Sequence, residues 1–78
     1  EVYKNFLYDL GPIVMERALE AKAEKQAASK NSAEHEYAAG RLMAFNEVIS
    51  IMQQQAEGLG IPLKDLRLEG IEPDRDLL

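Results

Sequence analysis

The chain has 78 residues, a net charge of −5 and no cysteine. That length allows one small domain, and the missing thiols exclude disulfides and thiolate metal sites. The acidic balance argues against nucleic acid and anionic membrane surfaces as partners. No apolar run approaches the ~20 residues of a membrane span. No stretch has the pattern of a signal peptide, and cysteine-free composition fits a reducing compartment, so a cytoplasmic protein is expected. So short a chain buries a small fraction of its surface. Its stability must come from close helix packing or from a partner subunit.

The first element carries Phe6, Leu7 and Leu10 at helical spacing, after Val2 and Tyr3. Gly11-Pro12 then interrupts the pattern. Proline has no amide proton, and inside a helix its ring crowds the carbonyl four residues back, here that of Tyr8. Proline is well placed at the first position of a helix. The arm Val2–Lys30 is therefore expected to break or kink near Gly11-Pro12. Beyond it, Ala, Glu, Lys, Leu and Gln favour helix strongly. The apolar positions dwindle from Ile13, Val14, Ala18 and Leu19 to Ala21, Ala27 and Ala28, which predicts a thin, tightly packed end.

Ser29-Lys30-Asn31-Ser32 is a turn cluster. Asn31 and Glu34 have the offset of a capping box, with Ser32 as the alternative cap. Glu34 and Glu36 sit in the first turn, where the helix dipole favours negative charge. A second long helix is predicted over Ala33–Glu57, antiparallel to the first because the connection is short.

Ala38, Leu42, Phe45, Ile49, Met52, Ala56 and Leu59 recur at alternating spacings of four and three, the rhythm of a seam between helices. At 100° per residue, Ala44, Val48 and Ile51 widen this seam to roughly half the circumference, beyond the ~100° of an ordinary core-facing stripe. One neighbouring helix covers so wide an arc poorly. A second partner is expected, from the N-terminal segment or another subunit. Asn46, Glu47, Ser50, Gln53, Gln54 and Glu57 are placed on the opposite, solvated half.

Gly58, Gly60 and Pro62 end the helix. Residues 60–78 read as a capping segment and tail: a helical turn with Leu63 and Leu66, further apolar cover from Leu68 and Ile71, and an exposed charged stretch at Glu72–Asp76. Leu77 and Leu78 either dock or fray.

Catalytic machinery is not apparent. His35 lies in a charged first turn with no triad-like company. No Glu-x-x-His or zincin spacing accompanies it, so neither a catalytic nor a metal site is assigned and no cofactor is expected. Glu16, Glu20 and Glu24 read as a solvated ladder, and Gly58-x-Gly60 as a helix stop. Two positions break local rules. Gly40 costs a helix about 1 kcal/mol relative to Ala, and close approach of the alanine-rich first helix is the favoured reason. Arg41 projects within the apolar arc and needs a carboxylate, with Glu20 or Glu24 in reach and Tyr37 one turn away for stacking. An anion-binding role for Arg41 near Gly40 is the sharper alternative.

The expectation is an all-α antiparallel hairpin that pairs into a dimeric four-helix bundle and serves as a non-enzymatic interaction or regulatory module. The alternatives are an acidic binder of a basic protein partner, in the manner of an antitoxin or immunity protein, using Glu69, Glu72 and Asp74, and a bundle holding a small molecule or anion at Arg41.

Overall fold

The computed structural model describes residues 1–78 as two long antiparallel helices, α1 (Val2–Ala27) and α2 (Ala33–Gly58), followed by a 3₁₀ turn (Leu63–Leu66) and one helical turn, α3 (Pro73–Asp76). The molecule measures 44 × 21 × 16 Å, a flat hairpin with a folded-back C-terminal segment.

Ser32 caps α2, accepting a hydrogen bond at Oγ from the His35 amide at 3.1 Å. Asn31 instead takes the left-handed turn position, with φ 66°. The expected capping box at Asn31 and Glu34 is therefore replaced by the Ser32 alternative. Glu34 and Glu36 do occupy the first turn. At its other end α2 closes in a Schellman motif: Gly60, with φ 71°, donates to the Glu57 carbonyl and Ile61 to that of Ala56. These bonds satisfy carbonyls that the helix itself leaves free.

Of the break or kink expected at Gly11-Pro12, the break does not occur: α1 runs through both residues. The reason lies far along the chain. Pro12 cannot donate to the Tyr8 carbonyl, and Arg67 Nε donates to it instead at 3.1 Å. The Arg67 guanidinium also lies 4.0 Å from the Tyr8 ring centroid. Gly11 is buried, and the Leu66 carbonyl oxygen fills the space a Cβ there would need. The Gly-Pro pair is a seat for the 3₁₀ turn.

Arg67 itself closes that turn in a left-handed conformation, φ 54°. Its amide donates to Lys64 and that of Leu68 to Leu63, each at 3.1 Å, repeating the Schellman pattern. Such a position normally takes glycine, since a side chain costs ~1–2 kcal/mol there. The bond to Tyr8 explains why arginine holds it.

The core is small. Ala18 and Ala21 of α1 meet Leu42, Ile49 and Ala56 of α2, and Leu66, Leu68 and Leu77 close over them. Leu68 and Leu77 are fully withdrawn from solvent, so Leu77 docks. Asn46 and Gln53 make this possible, contrary to their expected exposure. They lie three residues before and four after Ile49, on one flank of the seam. Asn46 Nδ2 donates to the Pro73 carbonyl at 2.9 Å, and Gln53 Nε2 to those of Ile71 at 2.8 Å and Leu68 at 3.2 Å. From α1, Lys22 Nζ donates to the Asp76 carbonyl at 2.9 Å. A buried irregular segment needs donors for its carbonyls, and these three side chains supply them.

Candidate functional site

The predicted seam divides. Ala38, Leu42, Ile49 and Ala56 are buried within the chain, and Phe45 and Met52 are half-buried against the core. Val48, Ile51 and Leu59 remain 43%, 57% and 72% exposed. Phe45 and Met52 lie four residues before and three after Ile49, on the flank opposite Asn46 and Gln53. Stepping further that way at 100° per residue reaches Val48, Ala44 and Ile51. The C-terminal segment covers one broad face of the hairpin and leaves this other face open.

Helix α1 adds to the open face. Leu10 and Ile13 sit on the same side by the same angular count, and Phe6 and Ile13 are 63% and 51% exposed. In the sequence these are ordinary helix positions, because periodicity within one helix does not say which of its flanks the chain covers. Between the N-terminal half of α1 and the C-terminal half of α2 the face deepens into a groove of about 320 Å³. Leu7, Leu10, Met52, Leu59 and Ile61 line it, and Gln55 is the one polar residue in its wall.

Toward the tip, where α1 turns into α2, the same face becomes charged. Arg41 Nη1 donates to Glu24 Oε2 at 2.7 Å, and Arg17 lies 4.0 Å from Glu20. The rings of Tyr37 and Phe45 lie 5.9 and 6.0 Å from the Arg41 guanidinium. The carboxylate expected for Arg41 is thus Glu24. Gly40 has no atom within 4 Å of where its Cβ would stand, so close approach of α1 is not the reason for glycine here. It lies nine residues from Ile49, about half a turn round the helix from the core. Nothing else in the structure explains it.

The acidic tail is largely engaged within itself. Arg75 donates to Asp76 Oδ1 at 2.7 Å and Oδ2 at 2.9 Å, and lies 3.6 Å from Glu72. The Arg75 hydrogen bond, followed by the Glu72 amide, lowers the Asp76 pKa from 3.8 to about 2. Asp74 Oδ1 lies 3.4 Å from Asn46 Nδ2, while Glu69 stands exposed. Nowhere do three acidic or histidine side chains converge in a metal-holding cluster. No helix is long and apolar enough to cross a membrane. Comparison with protein-family models, curated proteins and solved structures gives no match.

Proposed function

We propose that this chain is a non-enzymatic interaction module that works as a homodimer, two hairpins joining through their open faces into a four-helix bundle. The open face carries this reading. Phe6, Ile13, Val48, Ile51 and Leu59 expose apolar surface on one side of the molecule, while on the other, where Leu19 and Met43 are also half exposed, the C-terminal segment covers the rest. Contiguous exposed apolar surface of this kind marks a binding surface.

The chemistry of the face favours helices as its occupant. On the covered face, side-chain amides meet the carbonyls of an irregular segment. Beside the strip Ile13, Val48 and Ile51 the one side-chain amide is that of Gln55, so an irregular peptide laid there would leave most of its carbonyls unbonded. A helix satisfies its own backbone, and a second copy of this hairpin brings two.

The test is the mass in solution. At micromolar concentration, sedimentation equilibrium is expected to give twice the 8.7 kDa of one chain. Val48→Glu, which places a charge in the strip, is expected to return the monomer with its helix content intact. A clean monomer for the unaltered protein refutes the proposal.

A further inference from the structure

The open face is not uniform along its length, and that asymmetry bears on how two copies meet. At the open end it is apolar: Leu7, Leu10, Ile51 and Leu59 line the groove, and Phe6, next to Leu7 in the chain, is exposed. At the tip it is charged: Arg17, Glu20, Glu24 and Arg41 stand in pairs of opposite sign. Building on the homodimer reading, we infer that the two hairpins pair in parallel, open end on open end, with Phe6 of each copy seated in the groove of the other.

Three observations carry this. The first is charge. An antiparallel arrangement with full overlap lays each groove on the other copy's Glu24 and Arg41, which desolvates ions against hydrocarbon. The parallel arrangement sets apolar surface on apolar surface. At the tips it faces one copy's mixed pair with the other's, so that Arg41 finds a carboxylate on either side. The second is area. The broadest outline of a molecule of 44 × 21 × 16 Å spans roughly 900 Å² at most, the scale of the ~800 Å² each partner gives to a standard stable interface. Parallel pairing uses the whole face, whereas end-to-end overlap of the apolar halves uses about half and falls short. The third is the groove itself. A wall with Gln55 as its one polar residue has little to orient a polar ligand, and it suits an aromatic side chain. Phe6 is 63% exposed and is the direct chain neighbour of the groove residue Leu7. Under a two-fold axis running along the hairpins, each copy offers its Phe6 at the same end as its partner's groove. The contact is then made twice, as isologous pairing requires.

Two measurements test the inference on the full chain. The protein has no cysteine, so Ser29→Cys, exposed at the tip, carries one spin label per copy. Parallel pairing places the two labels within about twice the 16 Å thickness of one hairpin, whereas antiparallel pairing separates them by about its 44 Å length. In the second, Phe6→Ala is expected to weaken dimerisation at least about tenfold, as loss of an aromatic side chain seated in a pocket does, with unchanged circular dichroism. Tyr37→Ala, near the tip, is expected to change it far less. A dimer with the long label separation overturns the parallel arrangement and leaves the homodimer standing. A dimer constant unmoved by Phe6→Ala, or an aliphatic molecule retained in native mass spectra, overturns Phe6 as occupant of the groove. A protein that stays monomeric overturns both this inference and the homodimer reading on which it rests.

Discussion

On one broad face of the hairpin, the returning chain buries its own Leu68 and Leu77, and Asn46, Gln53 and Lys22 hold it by its carbonyls. On the other, Val48 and Ile51 meet solvent, with no segment of the chain across them. Both faces belong to the same two helices and flank the same Ile49. The difference lies in what each flank offers to a backbone. A cover of irregular chain requires polar side chains set among the apolar ones, because its peptide groups lose water as it docks. A cover of helix does not. Polar residues on an otherwise apolar helix flank thus specify the kind of element that can pack there.

The contrast is sharpest in stability. Leu68→Ala removes a fully buried side chain of the cover and is expected to cost about 3 kcal/mol. Ile51→Ala, on the open face, is expected to change the stability of the dilute monomer by less than about 0.5 kcal/mol. Chemical denaturation of both variants at low concentration compares them. Equal losses would mean that Ile51 is covered by its own chain and that the two faces do not differ.

Gly11→Ala drives a methyl group into the Leu66 carbonyl. The added helix propensity recovers about 1 kcal/mol, but the backbone must shift, and a net loss of about 2 kcal/mol is expected. Faster amide exchange confined to residues 61–78 would mark detachment of the cover rather than melting of the hairpin.

Arg67 gives a smaller and more discriminating effect. Arg67→Ala loses the bond to the Tyr8 carbonyl and keeps the left-handed strain, for an expected loss of about 1 kcal/mol. Arg67→Gly loses the same bond but relieves the strain, so it should be the milder of the two in thermal melts. If glycine proves the worse, the side chain contributes something other than the bond.

The smallest effect is on pH. The Asp76 carboxyl titrates at about 2 in the folded chain against an ordinary 3.8. A depressed pKa means that its contribution is complete above about 4 and is lost as pH falls through about 2. Acid titration by NMR should show residues 72–77 loosening in that window, and Asp76→Asn should remove the transition.

The two helices, their antiparallel pairing and the turn at Ser32 were legible in the sequence because each follows from local spacing: a seven-residue rhythm, a cap, a glycine stop. Leu68 as apolar cover was legible for the same reason. What could not be read was decided at a distance. Pro12 looks like an interruption until Arg67, 59 residues after Tyr8, supplies the missing donor. Asn46 and Gln53 look like surface residues by type, and only the path of the C-terminal segment turns them inward. Gly40 has the composition of a close helix contact, yet its angular position puts it in the open. At the candidate site, the excess width of the apolar arc was visible from Ala44, Val48 and Ile51. The part contributed by Phe6 and Ile13 emerges only when α1 is set beside α2.

The bond from Arg67 to the Tyr8 carbonyl joins the first helix to a segment made 59 residues later. A chain made from its N-terminus folds its early residues first, and the hairpin is complete in sequence by Gly58. Its cover is still to come. In that interval the Tyr8 carbonyl is left to water and both broad faces are bare. A newly made hairpin therefore has two bare sides, and residues 61–78 cover one of them when they fold back. How long that second side stays bare is set by how quickly residues 61–78 fold back to reach the Tyr8 carbonyl.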